Sequence, residues 1–127
     1  MLTVSTWFLR LSVVYATIGT AMSIAMGITH DFRLAPAHEH LNLLGWVTMA
    51  LAGLYYRAVP AATESALAGL HLIVANLGMI LLLGALLVLP LGYEPALPAA
   101  AIGSLLLFAA TGLFAAIVFH TTGRSAG

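Results

Sequence analysis

The sequence predicts an all-α integral membrane four-helix bundle, and three observations carry that expectation. Only 6% of its 127 residues are Asp, Glu, Lys or Arg, against about a quarter in a soluble domain. By a broad count 62% are apolar. Those apolar residues fall into four runs, each close to the roughly 20 residues that cross a bilayer's hydrocarbon core at about 1.5 Å per residue. In lipid the backbone N–H and C=O groups must bond within their own segment, which makes the runs helices.

The first run, Val4–Thr29, has no basic leader and no convincing small-residue cleavage site, so it reads as a retained helix rather than a secretory signal. Gly19, Ser23 and Gly27 recur at four-residue spacing and form a face for helix packing within the monomer. The run gives way to Thr29-His30-Asp31-Phe32-Arg33-Leu34-Ala35-Pro36. Pro36 suits the first turn of the next helix, where its missing N–H costs nothing.

The second run, Ala37–Val59, opens on His38-Glu39-His40 and carries Asn42, Gly45, Trp46 and Gly53. Its exit, Tyr55-Tyr56-Arg57, reads as a membrane–water interface marker. Thr63-Glu64-Ser65 starts the third run, Ser65–Leu89, with an acid near the positive end of the helix dipole. That run holds His71 and Asn76. After the turn chemistry of Leu91-Gly92-Tyr93-Glu94-Pro95, the fourth run, Pro98–Phe119, is rich in Ala and Gly and ends at His120 to Gly123. The whole of residues 1–127 reads as one transmembrane domain.

Absence of cysteine excludes disulfides, thiolate metal sites and iron–sulfur clusters. No basic cluster suggests nucleic acid; the lipid bilayer is the expected partner. Arg10, Arg57 and Arg124 fall on one side of the bundle and Arg33 on the other. The positive-inside rule then puts both termini of a multi-pass protein in the cytoplasm.

Five histidines stand against eight charged residues. His30, His38 and His40 share the outer side; His71 and His120 share the inner side. Imidazoles at the lip of an apolar helix are costly unless something binds them. Each also has a plainer role: His30 as a solvated loop residue, His38 and His40 as interfacial decoration, His71 and His120 in packing or capping. Helical residues two apart point about 200° apart. His38 and His40 therefore do not chelate one ion; they reach two ligands or two neighbouring helices. Gly45 and Gly53, two turns apart, leave a flank without side chains where a flat cofactor fits. Haem suits such a setting, with imidazole on iron, an apolar slot for the macrocycle, and polar groups such as Arg33, Asn42 and Trp46 near its propionates. Copper or zinc is the lesser option, because His30, His38, His40, Glu39 and Asp31 lack a recognised chelating spacing.

His38-Glu-His40-Leu-Asn-Leu-Leu-Gly45-Trp46-Val, running into Gly53-Leu-Tyr-Tyr-Arg-Ala-Val-Pro60, resembles one helix of subunit I of the haem–copper oxidases. The likeness looks closest to the C-type oxidases, the nitric-oxide reductases and small stand-alone bacterial proteins of the subunit I type. Asp31 through Arg57 carries it, while the other helices match only as apolar spans. Glu39 departs from the small residue usual between the two histidines, and a carboxylate there can bind metal or raise an imidazole's pKa. The resemblance implies haem b, with His38 and His40 as ligands on opposite faces, in a bacterial inner membrane.

Oxygen reduction does not carry over, because the further histidines that hold copper in that family are missing. A full subunit has three groups of four helices, so the resemblance also implies a homotrimer with haem at subunit boundaries. The expected function is electron transfer, or redox or gas sensing, with a quinone or cytochrome as redox partner. Two other functions fit the same residues. One is a cytochrome b561-like diheme carrier using His71 with His120 on the inner side and His30 or His40 on the outer. The other is an assembly or metal-handling factor of respiratory complexes.

Overall fold

The computed structural model describes residues 3–125. Four helical rods fill it, and no strand occurs among the described residues. Helix α1 spans Val4–Thr29. The second rod is compound: α2 (Ala35–His40), a π-helical segment (Leu41–Val47) and α3 (Thr48–Ala58) follow without a break. Helices α4 (Ala66–Val88) and α5 (Leu97–Ser125) complete the bundle.

Three stretches, Val4–Thr29, Ala66–Leu91 and Glu94–Arg124, are each long and apolar enough to cross a membrane as single helices. From Ala35 to Ala58 the compound rod is about 36 Å long at the α-helical rise, enough for the same core. Val13, Ile18, Ile73, Ile80, Leu105 and Phe108 lie on the outside of the bundle. Apolar surface of that extent belongs against lipid.

Helix ends follow local chemistry. Thr3 caps α1, its hydroxyl oxygen accepting from the Thr6 N–H at 3.2 Å. His30 closes the helix in the left-handed region at φ 53°. The second rod begins at Ala35, two residues before its expected start, because Pro36 fits the first turn. Helix α5 does not stop at Phe119. It continues to Ser125 because the Thr121 and Thr122 hydroxyls donate to carbonyls four residues back, at 2.8 and 2.7 Å, without disturbing the ladder. His120 therefore lies inside a helix and not at its end.

The bundle is two hairpins. Helix α1 packs along the compound rod, and α4 along α5. The second pair meets at Gly78 and Gly103: a Cβ on Gly103 would lie 2.6 Å from the Leu82 backbone nitrogen. Only a residue without a side chain permits that approach. Contact between hairpins is thinner; it joins one apolar core, Phe8, Leu41 and Met49 with Ala75, Met79 and Leu107, to three tyrosine hydroxyl bonds. Tyr15 donates to Asn76 Oδ1 at 2.9 Å, Tyr56 bonds the His71 ring at 2.8 Å, and Tyr55 bonds Thr121. Phe8, Phe114 and the Tyr56 and His71 rings stack around the middle bond.

Tyr56 is thus not an interface marker. It is 1% exposed, because the turn of α3 on which it sits faces the second hairpin. The small-residue face expected on α1 is used only at its first member. Gly19 packs against the Asn42 side chain, whereas Ser23 is exposed and a Cβ on Gly27 would meet nothing within 4 Å.

Candidate functional site at the histidine lip

The two-histidine motif sits in the last turn of regular α-helix before the π segment. Ala37 and Leu41, four residues apart, are fully buried and mark the face turned to the bundle. On a 100° wheel His38 and His40 fall on either flank of that face, and Glu39 falls opposite it. Burial agrees, for both histidines are half-buried and Glu39 is exposed. Glu39 consequently points away from the rest of the bundle.

His40 Nδ1 lies 2.8 Å from the carbonyl oxygen of Pro36. A carbonyl only accepts, so Nδ1 carries the proton and donates it. Nε2 is left with an outward lone pair. This is the tautomer a metal-binding imidazole needs, fixed by the kind of backbone bond that orients such ligands. The His38 ring has no hydrogen-bond partner among the described residues. Its carbonyl accepts from Asn42 Nδ2 at 2.9 Å.

Immediately beyond, the helix widens. The Thr48 N–H reaches the Leu43 carbonyl five residues back, and the Thr48 hydroxyl donates to the same oxygen at 2.7 Å. Such π segments are frequent at functional positions. One consequence is register. Gly45 and Gly53 are eight residues apart, which leaves them about 80° out of phase on a regular α-helix. The wider turn over residues 45–47 takes up part of that offset, and both glycines meet α1.

A Cβ on Gly45 would lie 2.9 Å from the Tyr15 ring, and one on Gly53 2.8 Å from Leu9. The Ser5 hydroxyl also donates to the Gly53 carbonyl at 2.9 Å. The flank offered by sequence to a flat cofactor is therefore filled by α1.

The other expected edge groups are already engaged. The Asn42 amide is held by the His38 carbonyl and by its packing on Gly19. Arg33 forms a forked pair with Asp31, Nη2 to Oδ2 at 2.6 Å and Nε to Oδ1 at 3.0 Å. Hydrogen bonds from the Arg33 side chain, then from its backbone N–H, hold the Asp31 carboxyl down to about 2. Trp46 is 45% exposed and free to lie against lipid or a second copy.

The remaining histidines do not converge on the lip. His30 is exposed in the first loop. His71 is 4% exposed, between the rings of Phe8 and Phe114. It borders a crevice of about 40 Å³, far too small for a macrocycle when ligand sites run to roughly 300 Å³ or more. His120 lines a separate cleft of about 710 Å³ with Glu64, Ser65, Ile117 and Arg124. Among the described residues no three of His, Asp and Glu come together in a metal-binding group. The residues that sequence reading missed are Tyr15, Tyr56 and Thr48, whose roles depend on the neighbouring hairpin or on the π turn. No family model, no curated protein and no solved structure matches this chain.

Proposed function

We propose that this chain is a haem b-binding membrane protein for electron transfer or redox sensing, with His40 as an axial ligand. One observation carries the reading: the His40 Nδ1–H donates to the Pro36 carbonyl, which leaves Nε2 of the neutral ring as the nitrogen able to bind a metal, at the lip of a membrane helix and on the margin of the bundle. Bound haem supplies one-electron exchange, and two imidazoles on its iron would leave no open position.

His40 borders the exterior, where Leu43, Trp46 and Val47 are exposed apolar side chains. The rest of the haem slot is then a neighbouring copy, and its second ligand is that copy's His38 or His40. A homotrimer repeating the twelve-helix plan of an oxidase subunit I satisfies this, without copper ligands and without oxygen reduction. The setting is a bacterial inner membrane with both termini cytoplasmic. Arg10 and Arg57, which line one groove, mark the inner face. A quinone or cytochrome is the redox partner. The diheme reading loses support from the narrow crevice at His71.

The test is a reduced-minus-oxidised spectrum of protein purified from cells supplied with haem, beside its His40→Ala variant. A haem b spectrum lost or strongly altered in the variant is expected. An identical spectrum removes His40 from the ligand set, and no Soret band in the parent protein removes haem. Light scattering in detergent, with micelle mass separated, is expected to give three chains; a monomer overturns the shared slot.

A further inference from the structure

Arg10 and Arg57 reach one groove of about 570 Å³ from two helices, with Thr6, Leu9, Val13 and Val14 completing its lining. The two helices run antiparallel, since Ser5 bonds Gly53 near one end of their contact and Gly19 packs on Asn42 near the other. A Cα–Cβ bond tilts toward the N-terminus of its own helix. Arg10, about 9 Å along α1 from Val4, therefore leans back toward the membrane surface. Arg57, one residue from the end of α3, leans inward. The tilt draws both guanidinium groups toward one level. Trp7, 42% exposed on α1, is an aromatic of the kind that anchors at the headgroup depth.

No protein group neutralises this pair. Neither guanidinium has a hydrogen bond or ion pair among the described residues. Neither α1 nor α3 contains Asp or Glu. Asp31, Glu39 and Glu94 lie at the opposite end of the bundle, and Glu64 lines the separate cleft with Arg124. Two like charges on one wall repel, and each loses water where the bilayer closes around it. An anion between them offsets both costs. The forked N–H donors of arginine match the oxygens of a phosphate better than any other common anion except a carboxylate.

The groove continues past the arginines as hydrocarbon. Val13 and Val14 are 61% and 52% exposed, one turn deeper than Arg10. Its occupant is therefore anionic at one end and apolar at the other. A soluble anion would leave the valines uncovered. An acidic peptide that followed them would carry unbonded backbone into the bilayer core.

We propose that this groove binds an anionic phospholipid, whose phosphodiester oxygens accept from Arg10 and Arg57 and whose acyl chain lies on Leu9, Val13 and Val14. A net-anionic headgroup is preferred to a zwitterionic one, which brings its own cation beside two others. The site requires only that α1 and the compound rod cross the bilayer, and it stands apart from haem at His40.

Native mass spectrometry tests it on the full chain released from nanodiscs of equal parts phosphatidylglycerol and phosphatidylcholine. Preferential retention of phosphatidylglycerol is expected, with excess inorganic phosphate failing to displace it. Arg10→Gln and Arg57→Gln are each expected to lower that retention about fivefold, and Arg124→Gln to leave it unchanged. Equal retention of the two lipids by the parent protein overturns the site, as does retention unchanged in the Arg10→Gln/Arg57→Gln double variant. Displacement by inorganic phosphate overturns the acyl-chain contact. A preference lost in Arg124→Gln places the lipid elsewhere and overturns the assignment, even where the double variant misfolds.

Discussion

His30 shows how much one residue's backbone reveals that its side-chain chemistry hides. It ends α1 at φ 53°, a conformation that costs an L-residue with a Cβ about 1 kcal/mol and glycine almost nothing. His30→Gly is expected to raise stability by about 0.5–1 kcal/mol, read from denaturation in detergent. Asp31, beside it, gives a pH prediction. Its folded value of about 2 lies below the ordinary 3.8, so its contribution is complete above the ordinary value and is lost as pH falls toward 2. In Arg33→Gln its carboxyl titration, followed by NMR, is expected to return toward the ordinary range. The pair is exposed, so stability at neutral pH changes little. Legibility at this scale was uneven. The flanking positions of His38 and His40 follow from helical angles alone. Tyr56 did not, because which of two adjacent tyrosines faces inward is set by where the second hairpin docks.

Among the elements, helix extents were legible to within a few residues except at the end of α5. Polar residues interrupt the apolar runs at the first three loops, whereas Thr121 and Thr122 fit inside a helix by bonding backward. The π segment was not legible. With lipid outside and apolar side chains inside, the rod shows little polar contrast to set a period, and the eight-residue spacing of Gly45 and Gly53 is its one trace. Deleting Leu43 should convert the π turn to α and leave α2 and α3 in nearly the same register, because the deletion removes the one residue by which the π turn exceeds an α turn. Ala37 and Leu41 then keep their place in the core, and helix content by circular dichroism is expected to persist with little loss of thermal stability. At the α4–α5 crossing, Gly103→Ala is expected to cost about 1–3 kcal/mol, since the atom it would strike is backbone.

For the whole molecule, composition alone made membrane residence legible, and one histidine motif made the candidate site legible. What the single chain did not reveal is how loosely its halves meet. Tyr15, Tyr55 and Tyr56 each supply one bond between hairpins, and such bonds average roughly 0.6 kcal/mol in membrane proteins. Packing is closer within each hairpin than between them, so the two halves are expected to behave as insertion units. Each hairpin can enter the bilayer as it is synthesised, and docking follows when phenol groups find partners across the gap. Residues 1–62 and 63–127, co-expressed as two polypeptides, are then expected to co-purify as a working pair. The split pair should associate more weakly when all three tyrosines become phenylalanine, although the unbroken chain survives that change. Assembly, on this view, is a bimolecular event that a short loop has made intramolecular.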